Sequence, residues 1–294
     1  MLSAFCFAAN MICSRRGVLR IKDAGLGGYI SVAVAPPLIL AMAVIGGELH
    51  SITSFTWKGY AYLAAAGITN FVFGRSAGYR AIQHLGANMA AILSSLNLIY
   101  SILLGIVILG ERVTRDLAVG SALIMIGPAL LFWPQQEDDD SREDGLSKKP
   151  RLNRAGIVAA LLTGVFYGVT PLLVKLGLRE GGSPLAGTLI SYSTALLVFG
   201  ATMIGPEIRG GIINMERTAL LWFAASGILA TAAQLLRYVA LSWSPISVAG
   251  PLLATIPLFL VLLSFIVNRK LESFRLNVIL GAILVVMGVV LVYR

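Results

Sequence analysis

The chain predicts an all-α fold, a polytopic membrane protein of about ten transmembrane helices in two inverted five-helix repeats. Composition is the first observation. The 294 residues are 57% hydrophobic and 13% charged, with a mean hydropathy of +0.84. A soluble domain carries about a quarter charged residues, so this chain lacks the polar surface that water requires. The second observation is that one hydrophobic plan occurs twice. Asn10 to Gly17 aligns with Thr170 to Gly177, and Ala64 to Ile68 with Ala224 to Ile228. Tyr79 then falls on Tyr238, Leu103-Leu104 on Leu262-Leu263, and Gly120, Gly127 and Leu130 on Gly281, Gly288 and Leu291. The offset drifts from 160 to 159 to 161, as loop insertions of one or two residues would cause. The third is parity. Each copy holds an odd number of membrane-length segments, so the second enters the bilayer upside down. In secondary transporters such repeats carry a substrate site at their interface.

Each segment has its own reason. The first, at 1–18, is short beside its counterpart at 156–177. Its charges follow the apolar run instead of preceding it, which fits a membrane anchor rather than a signal peptide, and a clipped first helix is expected. The second, 28–47, contains Pro36-Pro37. The third, 60–80, sets Gly67, Asn70, Gly74 and Gly78 on one face, a stripe that lets helices approach closely. The fourth and fifth are expected at 86–109 and 115–133. A charged linker at 134–154 follows, with Glu137 to Asp140 ahead of Lys148-Lys149-Pro150-Arg151. The sixth, 155–177, holds Pro171, and the seventh is 185–205. The eighth, 218–241, aligns Gly227, Thr231, Gln234 and Tyr238. The ninth, 246–267, holds Pro251 and Pro257, which predict a bend beside a cavity, since freed backbone groups need neighbours or water. The tenth is 276–293. The domains are therefore 1–133 and 155–294, joined by the linker.

Charge excludes other classes. The net charge of +9 and pI near 9.8 do not signal nucleic acid, because the basic residues flank apolar runs, as topology-setting loops do. With alternating segments, 15 basic residues fall on the linker side and six on the other. That asymmetry places the linker in the cytoplasm and the C-terminus outside. Cys6 and Cys13 share a helix face, but no further Cys or paired His completes a metal site, and both read as packing residues. His50 and His84 fall at segment ends. No cofactor is expected. Small-molecule substrate and membrane lipid are the expected partners, with a homodimer left open.

Polar groups inside a span are costly, which makes them site candidates by default. Arg75 lies about one turn from the expected end of the third segment. Arg237 lies within the eighth, where Gln234 and Thr231 precede it on one face. Its guanidinium can hold a carboxylate or phosphate bidentately. For both arginines the competing reading is a stem that snorkels to the headgroups. Asn97, mid-way through the fourth segment, has no cheap route to water. Asn10, Tyr167, Thr170 and Trp222 complete the substrate-binding candidates, with Ser191 and Tyr192 behind them. No Asp or Glu lies deep in any segment, so nothing in the sequence supports proton coupling.

The chain resembles the EamA-like members of the drug/metabolite transporter superfamily. The resemblance rests on Tyr79-Arg80-Ala81-Ile82, Ser94-Ser95-Leu96 and Gly110-Glu111-Arg112-Val113-Thr114 leading to Gly120. Tyr238 to Leu241, Pro257, Lys270-Leu271-Glu272 and Gly281 answer them in the second copy. Two departures stand out: Leu98 occupies a place where the family usually has proline, and the second copy lacks a full glycine-glutamate-arginine match. The resemblance implies a cavity lined by helices one, three, four, six, eight and nine, and carriage of small polar metabolites across the inner membrane, often outward. It also implies cytoplasmic termini, opposite to the charge asymmetry; a C-terminal reporter that fluoresces only in the cytoplasm separates the two. The rival functions are a non-transporting membrane scaffold or assembly protein and an intramembrane enzyme, for which no catalytic cluster is present.

Overall fold

The computed structural model describes residues 1–18, 20, 24–85, 90, 93–131, 153–203, 215–267 and 276–293. Helices account for almost all of them, with no strand among the described residues. The first copy contains α1 (Leu2–Val18), α2 (Ala24–Ala33), α3 (Ala35–Ile45), the short α4 (Leu49–Ile52), α5 (Trp57–Gly67), a π-helix (Ile68–Gly74), α6 (Arg75–Leu85), α7 (Asn97–Leu109) and α8 (Arg115–Leu131). The second contains α9 (Arg154–Arg179), α10 (Pro184–Met203), α11 (Arg217–Trp243), α12 (Ile246–Leu253), α13 (Ile256–Val267) and α14 (Leu276–Tyr293). The linker expectation falls almost wholly outside the described residues.

Gly27–Ile45, Arg154–Arg179, Pro184–Ala201 and Arg217–Trp243 are long and apolar enough to cross a membrane, and shorter apolar helices stand beside them. At 1.5 Å per residue, the 26 residues of α9 extend about 39 Å, more than the hydrocarbon thickness of about 30 Å. Large apolar side chains such as Val107, Leu197, Leu221 and Val290 are exposed on the outside of the bundle. Lipid is the solvent that makes such a surface stable. Local chemistry fixes the helix ends. Thr56 accepts from Gly59 N (3.3 Å) to start α5, and Asn153 accepts from Ala155 N (3.2 Å) to start α9. Gly110 closes α7 at φ +66°, a left-handed conformation that a side chain would strain.

Breaks in the helices follow the duplication. The ninth segment divides at Ala254-Thr255, where Leu258 N reaches back three residues to Thr255 O (3.0 Å). The fourth turns at Ser95-Leu96, where Leu98 N reaches Ser95 O (3.2 Å) in the same way. Pro257 follows the second break and Leu98 the first, so the first copy bends here without the proline. The third segment carries a different irregularity. Between Ile68 and Tyr79 the first copy has one residue more than the second has between Ile228 and Tyr238. The second copy spans this interval in regular α-helix, whereas the first forms a seven-residue π-helix. The drift from 160 to 159 therefore lies inside a helix, not in a loop as expected. A wider turn absorbs the extra residue; an α-helix would have rotated everything beyond it by about 100°. The later change of offset falls between Leu263 and Gly281, an interval that includes the residues outside the described set, 268–275.

The copies interlock through their first helices. α1 packs along α11, with Ser3 Oγ donating to Ala233 O (2.7 Å) and Ser14 paired with Ser226 (2.7 Å). It also reaches α13, where Phe5 meets Phe259 edge-on at 5.9 Å. α9 does the same to the first copy. A Cβ on its Gly177 would meet Leu63, one on Gly168 would meet Tyr100, and one on Gly156 would meet Leu85. The expected stripe of the third segment divides between two neighbours, because the π-helix changes the register. Gly74 and Gly78 face Tyr167 and Thr163 of α9, while Gly67 abuts the Ser191 carbonyl of α10. Finally, α8 and α14 cross antiparallel. Gly120 meets Gly288, and Gly127 meets Gly281 and Val285, so close that any added Cβ would clash.

Candidate functional site

A cavity of about 550 Å³ opens where the copies meet. α1 contributes Phe7, Asn10 and Met11, and the third segment Asn70, Phe71 and Arg75. Both helix breaks border it, through Ser94, Ser95, Asn97, Leu98 and Ser101 on one side and Leu253, Ala254, Ile256 and Pro257 on the other. Tyr167 and Pro171 of α9 and Gln234 and Arg237 of α11 close the ring. The fifth and seventh segments, α8 and α10, outside the expected set, add Ile124, Met125 and Tyr192. The volume lies within the range of about 300–1,000 Å³ usual for small-molecule sites.

Six of the nine substrate-binding candidates come together here: Arg237, Gln234, Asn97, Arg75, Asn10 and Tyr167. Asn10 has its amide oxygen engaged by Ser226 Oγ (2.6 Å) and Ser14 Oγ (3.4 Å), which fixes the side chain against α11. Arg75 donates from a terminal nitrogen to Gly28 O at 3.1 Å. It stands ten residues before the helix end at Leu85, not one turn, because α6 runs further than expected. Arg237 Nε and Gln234 Oε1 on α11 and Ser101 Oγ on α7 are buried without a hydrogen-bond partner.

Three candidates lie elsewhere. Thr231 and Thr170 are buried, and their hydroxyls return to their own helices, at Gly227 O (2.7 Å) and Phe166 O (2.8 Å). Such a backbone bond uses the one O–H donor that a buried threonine has. The Arg16 guanidinium carbon lies over Trp222, 4.9 Å from the ring centroid, in the first turns of α11. Of the weaker pair, Ser191 is bound between Leu63 O (2.7 Å) and Tyr238 (2.8 Å), whereas Tyr192 borders the cavity.

Sequence reasoning passed over Ser101 and read Asn70 only as part of a packing stripe, since both are ordinary polar residues in apolar helices. It also read Glu111 only as part of a motif. The Glu111 carboxylate accepts from Ile246 N (2.7 Å) and Ser247 N (2.9 Å) and so caps α12, an element of the other copy. Beside it, Lys175 Nζ donates to Leu241 O (3.2 Å) and Ser244 O at the end of α11. Helix N-termini attract anions and C-termini cations, and this pair places each on its matching end. Among the described residues no group of three His, Cys, Asp or Glu could hold a metal ion, and Cys6 and Cys13 are unpaired.

A duplicated helical bundle with an apolar exterior and an internal cavity lined by apolar and polar side chains of both copies defines a multi-pass membrane protein. The sequence model of the EamA-like transporter family matches residues 1–133 and 154–294, and the chain belongs to that family. A solved structure titled only "Crystal structure of protein" shares the fold at a TM-score of 0.75 and 15% identity, covering 98% of this chain and 93% of that one. No curated protein matches the chain.

Proposed function

We propose that the protein is a secondary transporter that moves small polar metabolites across the inner (plasma) membrane by alternating access, in the outward direction. The observation that carries this reading is the cavity itself. It is built from both copies, it is lined by two arginines together with amide and tyrosine side chains, and an apolar bundle surrounds it. A scaffold has no need for a chamber of this kind, because polar groups inside a membrane are costly. The antiparallel crossings of α8 with α14 and of α1 with α11 support an inverted relation between the copies. Such a relation offers two equivalent ways to open the same chamber. Purified protein in liposomes, assayed with a broad panel of labelled metabolites, tests the reading. Saturable flux of at least one solute is expected, whereas no flux above protein-free liposomes across the panel would favour the scaffold.

A further inference from the structure

We infer that the cavity holds a small hydroxylated organic dianion, its anionic oxygens shared between Arg75 of the first copy and Arg237 of the second. This deepens the transport reading and rests on it only for passage across the membrane; binding is a separate claim. Charge is the first support. Among the described residues lining the cavity, two are arginines and none is Asp or Glu. Arg75, Arg237 and Tyr192 all line this one chamber, so the two cations share a single enclosed volume. Like charges held together out of water repel, and their desolvation is expensive unless an anion accompanies them. A monoanion leaves one charge over, and a dianion neutralises both.

Unused bonding capacity is the second support. A guanidinium presents five N–H donors, and Gly28 O takes one from Arg75, which holds that side chain in place. Arg237 Nε, Gln234 Oε1 and Ser101 Oγ are buried and without partners, and all three residues line this cavity. Gln234 and Ser101 are each only 4% exposed. Buried polar atoms almost always have partners, so three orphans on residues of one chamber leave bonding capacity that a polar ligand can take up. Arg237 Nε asks for an acceptor, as a carboxylate or phosphate oxygen provides. Gln234 Oε1 asks for a donor, as a hydroxyl on the same ligand provides.

The third support comes from the duplication. At the 159 offset Arg75 falls on Gln234, and Gly78 falls on Arg237. The two arginines are therefore not one ancestral residue copied twice. Each copy supplies its cation from a different turn of its third helix, yet both face one chamber.

The test is direct binding to the purified protein in detergent at neutral pH and low salt, read by thermal stabilisation and by tryptophan fluorescence. Malate and glycerol 3-phosphate are the dianionic probes, with succinate lacking the hydroxyl, malamide and glycerol as neutral controls, and putrescine as a cation. Malate or glycerol 3-phosphate is expected to bind, and which of them binds assigns the dicarboxylate or the phosphate ester. Succinate should bind several-fold more weakly than malate, and the neutral and cationic compounds not at all. Arg75→Gln and Arg237→Gln should each weaken binding by tenfold or more, and the Lys variants should recover only part, since the planar fork is lost. If the Gln variants do not fold, wild-type discrimination of malate from malamide and its loss at high salt decide the matter. Equal binding of malate and malamide, dianion binding unchanged in the Arg75→Gln/Arg237→Gln protein, or no binding of either dianion overturns the proposal. Dianion binding without flux in liposomes would leave the site standing and sink the transport reading alone.

Discussion

Replacing Glu111 with alanine removes both acceptors from the start of α12. The structure gives the size of the effect. Two backbone N–H groups, those of Ile246 and Ser247, donate to this carboxylate at 2.7 and 2.9 Å. Hydrogen bonds to a charged group are worth about 1.5–3 kcal/mol each when buried, and loss of a helix cap costs about 0.5–2 kcal/mol. Glu111 is half-buried, so water replaces part of what is lost, and about 2–3 kcal/mol is expected for the pair. That corresponds to a roughly 30- to 150-fold change in the unfolding equilibrium. Glu111→Gln keeps one acceptor without the charge and should lose about half as much. Unfolding titrations in mixed detergent and SDS micelles measure the difference, with flux in liposomes as a companion. A Glu111→Ala protein as stable as the wild type would show that the cap contributes nothing, and that the Gly110-Glu111-Arg112 signature exists for another reason.

Other outcomes follow from the packing. Gly67→Ala should fail to yield a monodisperse protein, because the new Cβ would lie 2.1 Å from the Ser191 carbonyl; Gly200→Ala, with nothing within 4 Å, should leave the elution profile unchanged. Deleting Thr69 should convert the π-helix to regular α-helix and leave a folded protein with lowered transport, since Asn70 and Phe71 then turn relative to the cavity. Deleting Leu229 from the regular α11 should abolish folding; equal tolerance of both deletions in a size-exclusion assay would contradict the account of the inserted residue. Arg16→Ala should cost about 0.5–1 kcal/mol of stability through the lost contact with Trp222, and Trp222→Phe should leave the KM for any transported solute unchanged. A raised KM in the Phe variant would bring Trp222 back to the site.

The sequence determined on its own the features that lipid imposes. Long apolar runs, the two-fold repetition and the scarcity of charge are properties of composition and order. A bilayer tolerates only structures that satisfy their backbone internally, so these properties already specify a duplicated helical bundle. Arg237, Gln234 and Arg75 were legible as candidates for the same reason, since an intramembrane polar group is a cost that demands an explanation. Tertiary structure decided which candidates share a chamber. Thr231 and Gln234 sit on one face of α11, yet the threonine hydroxyl bonds to Gly227 O while the glutamine amide reaches the cavity. Side-chain reach and self-satisfaction separate them, and helical spacing carries neither. The extra residue in the third segment was visible as a drift of one in the offset, but only the backbone shows that a helix, not a loop, absorbs it. Glu111 was legible as a motif and silent about its task, because its partners Ile246 and Ser247 lie 135 and 136 residues away in the other copy. Contacts across that separation exist only after the two halves have packed.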